Sequence, residues 1–224
     1  MKVKNAYKAL IILMFITITI SGYEFLTALK NFNPNGTIFD FCSGAVEYIP
    51  YFMIFLLALF LVLPISLLLF KENNIQLKSA ILDKKHLFKD ILYGIILGLI
   101  SECIVYLFYV MRNAGSTYEH TMIYNNSITF YILYFLSLSL VCGILKELYF
   151  RGFAKFFLAD IFGENFSYLL TAILFGIVDW QNMGSSVILG LLWGFAYKKN
   201  GRLIVPMIAH GLINALGIIG LFIL

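Results

Sequence analysis

The stretch Tyr131–Phe153, YILYFLSLSLVCGILKELYFRGF, joins two unlike halves. The first is uncharged and apolar enough to lie in lipid. The second brings Lys146, Glu147 and Arg151 together within six residues. Ionisable side chains inside a membrane span are costly and tend to mark function. These charges therefore either stop a helix at the membrane surface or form a polar centre within the bilayer.

The apolar texture continues in both directions. Segments at 7–29, 48–70, 89–111, 128–157, 166–180, 185–197 and 203–223 predict about seven helices with short polar connections. With 61% hydrophobic and 12% charged residues and a mean hydropathy of +0.90, an ordinary water-soluble globule is excluded. The expected fold is all-α, a polytopic transmembrane helical bundle, with residues 1–224 as one integral membrane domain. No linker or internal repeat divides it, which also disfavours the usual transporter folds. The 16 Lys+Arg and 12 Asp+Glu form no clustered basic surface, so no nucleic-acid partner is expected. Cys42, Cys103 and Cys142 have neither metal-ligand spacing nor a disulfide pattern. No cofactor and no bound metal is expected.

The start, MKVKNAYKALIILMFITITI, is basic and then apolar but lacks a small-residue cleavage site, and reads as an uncleaved first span. Basic residues then alternate along the chain. Lys2, Lys4 and Lys8 precede the first segment, and Lys71, Lys78, Lys84, Lys85 and Lys89 crowd the second connection. Lys155 ends the fourth segment, and Lys198, Lys199 and Arg202 lie between the last two. By the positive-inside rule the N-terminus is cytoplasmic and the C-terminus outside, in a multi-pass cytoplasmic-membrane protein.

Segments 166–180 and 185–197 would reach only about 20 Å as helices, against a hydrocarbon core of about 30 Å. Their connection, DWQNMGSS, is polar. Such a turn at membrane depth must be buried in protein or line a wet cavity. Alternatively both helices extend further and the turn sits at a thinned surface.

Polar groups recur on three of these segments. Glu147 and Arg151, four apart, share a helix face, and Lys146 points about 100° away. Glu147 would lie roughly 18 Å from the cytoplasmic end of its helix. Asp179 sits near the end of the short hairpin's first arm. In VPMIAHGLINALG, His210 and Asn214 share a face, one turn beyond Pro206, which can loosen the backbone. Singly these have ordinary readings: snorkelling for Lys146 and Arg151, a turn cap for Asp179, interhelical glue for His210. Jointly they favour one shared site. A metal held by Glu147, Asp179 and His210 is the weaker reading, since Lys146 would repel it.

On these motifs the chain resembles the CPBP family, the CAAX prenyl protease and bacteriocin-processing (Abi) group of intramembrane proteins. The family pattern is Glu-Glu-x-x-x-Arg, then Phe-x-x-x-His, then His-x-x-x-Asn/Asp. Here it reads Lys146-Glu147-Leu-Tyr-Phe-Arg151, Phe175-Gly-Ile-Val-Asp179 and His210-Gly-Leu-Ile-Asn214. GLLWGFAYKKNGRLIVP looks like the lead-in to the last motif, and 128–223 is the CPBP-like core. The resemblance implies an intramembrane enzyme with a cytoplasm-facing cavity, acting on a membrane-embedded or lipid-anchored peptide. The candidate catalytic residues are Glu147, His210, Asn214, Lys146, Asp179 and Arg151.

In peptide-cleaving relatives the first glutamate and the second-motif histidine are thought to activate water, while the last His and Asn stabilise the oxyanion. Here those first two positions are Lys146 and Asp179. A lysine cannot replace the carboxylate base, so acyl transfer in lipoprotein modification is as open as peptidase-like hydrolysis. A non-catalytic pseudo-protease, for bacteriocin immunity or as a scaffold for a membrane or peripheral protein partner, also stays open. The coupled replacements suggest a buried Lys146–Asp179 ion pair, because aspartate would hold a desolvated lysine charged.

Overall fold

The computed structural model describes residues 84–113, 143–179 and 182–223. The expected spans at 7–29 and 48–70, and the first half of the 128–157 segment, lie outside the described residues. What is described is helical, without strands: α1 (Leu87–Asn113), α2 (Gly143–Glu147), a π-helical turn (Leu148–Ala154), α3 (Lys155–Phe162), α4 (Glu164–Val178), α5 (Met183–Asn200) and α6 (Ile204–Ile223).

Within α1, Leu87–Met111 has a mean hydropathy of 2.2 and is the one described helix long and apolar enough to cross a bilayer. Its exposed side chains are large and apolar, Phe88, Leu92, Leu99 and Leu107 among them. Gly94 packs on Ile208 and Gly98 on Leu212, so α1 and α6 run parallel. Ser101 meets Trp193 and Gly184 meets Phe108, so α1 and α5 run antiparallel.

α4 and α5 form an antiparallel hairpin, with Gly190 against Ala172 and Gly194 against Tyr168. α4 has 15 residues and is short for a span, as expected. α5 corrects the expectation for 185–197. It has 18 residues, about 27 Å, because Lys198, Lys199 and Asn200 are polar yet still helical. The helix stops at Gly201, whose φ of 68° lets its N–H bond back to the Tyr197 carbonyl.

Pro206 also differs from its expected role. α6 begins at Ile204, so Pro206 sits in the first turn, where a missing N–H leaves no helical bond unmade. It starts the helix and does not loosen it.

The 128–157 segment runs on to Phe162 and is not uniformly α-helical. Residues 148–154 are wound as a π-helix, with the wider turn that i→i+5 bonding produces. α2 lies almost in contact with α6. A Cβ on Gly143 would stand 3.0 Å from the Gly211 nitrogen, so a larger residue would have to push the two backbones apart. That closeness sets the Glu147 and His210 side chains facing one another.

Candidate functional site

Glu147 is the last residue of α2 and Arg151 lies in the π-helical turn, so both come from one strip of chain. Arg151 Nη1 donates to Glu147 Oε1 at 2.9 Å. His210 of α6 places Nδ1 2.9 Å from the same oxygen. A carboxylate can only accept, so Nδ1 carries the proton and Nε2 is left with the lone pair. Glu147 is fully buried, Arg151 is 1% exposed, and the His210 side chain retains 6%. Histidine is therefore the outermost member of the trio.

Aromatic rings hold this polar centre in place. The Arg151 guanidinium lies over Phe175 at 4.8 Å, and its Nη2 donates to the Gly190 carbonyl at 3.1 Å. The His210 ring lies 4.7 Å from Trp193 and meets Phe175 edge-on at 5.6 Å. Trp193 Nε1 donates to Ser101 Oγ at 2.9 Å, and Ser101 donates in turn to the Leu97 carbonyl at 2.7 Å. Side chains from α1, α2, the π-turn, α4, α5 and α6 thus meet at one level.

Of the six residues singled out from the sequence, Glu147, Arg151 and His210 are joined directly. Asn214 is half-buried one turn further along α6. Lys146 is half-buried with its ammonium 5.9 Å from the centre of the Phe175 ring. Asp179 caps the end of α4 and accepts a hydrogen bond from Ser186.

The expected Lys146–Asp179 ion pair is not made. Asp179 follows the last helical residue, with φ −104° and ψ 53°, which turns its carboxylate to Ser186 on the hairpin's other arm. Among the described residues no three His, Cys, Asp or Glu side chains are grouped to hold an ion.

Four contributors were passed over in the sequence. Ser101 and Trp193 read there as ordinary members of apolar helices. Asp90, 1% exposed, makes a two-pronged ion pair with Arg202, but sits among lysines that suggested only a basic loop. Glu102 left a usable signal, a carboxylate within the apolar run of α1. One of its oxygens is buried without a hydrogen-bond partner.

Residues 126–216 match the family model of the type II CAAX prenyl endopeptidase Rce1-like proteins. That stretch is similar to the Rce1-like proteins. It holds all three motifs, from Lys146 to Asn214, and bears out the CPBP resemblance. No curated protein and no solved structure matches the chain. Within the Rce1-like segment, the motif positions that meet are the second acidic residue, the arginine and the last histidine. The two substituted positions, Lys146 and Asp179, stand apart from one another.

Proposed function

We propose that this protein is a CAAX-protease-like membrane enzyme that attacks an acyl carbon of a membrane-embedded or lipid-anchored peptide. The observation that carries the reading is the 2.9 Å contact between His210 Nδ1 and Glu147 Oε1, with Glu147 sealed inside. A buried carboxylate that holds Nδ1–H fixes the tautomer and supports the imidazolium formed when Nε2 takes a proton.

His210 Nε2 would accept the proton from attacking water as its oxygen bonds to the acyl carbon. It would then return that proton to the leaving group as the acyl bond breaks. With an amine or hydroxyl in place of water, the same steps give acyl transfer. Glu147 and Arg151 act through His210, as positioning residues. Asn214, four residues on and on the same face of α6, is the motif group assigned to polarising the carbonyl. The protein would sit as a multi-pass bundle in the cytoplasmic membrane, its Lys198–Arg202 turn on the cytoplasmic side.

The second reading is a non-catalytic binder of a membrane peptide. It is favoured by the burial of Glu147 and Arg151, and by Lys146 and Asp179 standing where the family's water-activating pair belongs. The test is to incubate purified protein in lipid nanodiscs with lipid-anchored peptides and follow their masses. The wild type should change the peptide, and His210→Ala and Glu147→Gln should not, at equal protein levels. Unchanged processing by both variants would remove the catalytic reading.

A further inference from the structure

Glu147 holds His210 at a single atom, and one hydrogen bond fixes a point without fixing a plane. About the 2.9 Å contact at Nδ1 the imidazole can still rock and sweep Nε2 through an arc. A base that must meet a proton at a set place does not tolerate that freedom, since a misplacement of about 1 Å can cost about a hundredfold in rate. A second group has to set the plane of the ring.

Trp193 is placed to do so. Its ring lies 4.7 Å from the imidazole at an angle of 32°, while Phe175 meets the same ring at 5.6 Å and 81°. A face on one side and a ring nearly at right angles leave the imidazole one tilt. The indole is itself tied down. Its N–H donates to Ser101 Oγ at 2.9 Å, and the buried Ser101 gives its own proton to the Leu97 carbonyl at 2.7 Å. That second bond commits the hydroxyl hydrogen and leaves the oxygen's lone pairs for the indole. The reference thus runs to α1, a helix outside all three motifs. The same two rings carry the Arg151 guanidinium, 5.6 Å from Trp193 and 4.8 Å from Phe175. One aromatic frame therefore sets both donors to Glu147 Oε1. Packing alone would ask only for a large apolar ring and would have no use for the indole N–H.

We infer that Trp193, anchored by Ser101, is a positioning residue that fixes the plane of the His210 ring and so aims Nε2. This rests on the proposed role of His210 as a base, but the state of the ring is read without turnover.

The test uses full-length protein in lipid nanodiscs and a short fluorescent S-prenylated peptide as probe. Peptide binding and single-turnover processing are measured beside nitrogen NMR of isotope-labelled histidine, assigned with His210→Asn. Wild-type His210 should show one protonated and one unprotonated ring nitrogen. Trp193→Leu should average the two signals and slow processing by about a hundredfold, with peptide Kd within about threefold of wild type. Trp193→Phe keeps a ring and loses the tether, and Ser101→Ala loses the tether alone. Each should slow processing about tenfold, and the double variant no more than either. Averaged nitrogens in the wild type overturn the inference, whether or not any variant folds. So does a folded Trp193→Leu with wild-type nitrogen signals, or single-variant losses that simply add. Distinct nitrogens that average in Trp193→Leu, without any processing, would refute catalysis and leave this inference standing; processing that Trp193→Leu leaves unchanged would do the reverse.

Discussion

The indole of Trp193 lies at 32° to the imidazole of His210, with ring centres 4.7 Å apart, and its N–H is tied to Ser101 on another helix. One face of the histidine is thereby referenced to α1 as well as to α5. Ser101→Ala should orphan the buried indole N–H and cost about 1–3 kcal/mol. Trp193→Phe removes the donor, so Ser101→Ala should cost less in that background. Denaturant midpoints of the two single variants and the double in mild detergent check this non-additivity.

The Glu147–Arg151 pair is shut away from solvent. Removing one member of such a pair leaves an uncompensated charge, typically at about 3–5 kcal/mol. Arg151→Ala should be destabilised on that scale. The Glu147→Gln, Arg151→Met double variant should recover much of the loss in stability and none in activity. Unfolding followed by circular dichroism, beside peptide processing, separates the two effects.

If His210 works through a fixed tautomer, Glu147→Gln should lower turnover by about a hundredfold or more, with the helical spectrum intact. An amide in place of the carboxylate no longer favours the proton on Nδ1, and tautomer errors of this kind are severe. Turnover of the lipid-anchored peptide at matched protein levels is the measurement.

Gly143 tests whether helix proximity sets the site. Alanine there would press a methyl group against the Gly211 backbone at 3.0–3.1 Å. It should drive α2 off α6 and abolish processing. Gly201→Ala is the control. It should cost about 1–2 kcal/mol for a left-handed residue while sparing turnover, as measured by unfolding and peptide assays together.

Asp90 is nearly sealed and its partner Arg202 is 21% exposed. Arg202→Lys keeps the charge but loses the two-pronged fit. It should lower stability by about 1 kcal/mol, and Arg202→Ala by more, with both effects read from thermal unfolding.

The helical class was legible because long apolar runs leave no other fold for their backbone groups. Glu147 beside Arg151 was legible from a spacing that one turn of helix enforces. His210 beside Glu147 was reached through the motif order, since nothing in local periodicity sets a distance across 63 residues. The Lys146–Asp179 pairing misled because it was drawn from the coupled replacements at two motif positions, which do not set where a carboxylate at a helix end is turned. Helix termination at Val178 gave that carboxylate a local partner instead. The length of α5 was misjudged for a related reason, as hydropathy fades at Lys198 while backbone bonding persists to Gly201. Ser101 and Trp193 carry no composition signal; their roles arise only when three helices meet.

The wide coil at Leu148–Ala154 gives one rod two separate audiences. Above it, Glu147 addresses the imidazole of α6; below it, Lys155 lies over the phenol rings of Tyr168 and Tyr197 in the hairpin. That coil holds about one residue more than ordinary winding would over the same rotation, so removing a single residue would return the rod to α-helical winding with its two halves still nearly in phase. A deletion so small would then show whether the site needs the wide turn itself or only the two addresses at its ends.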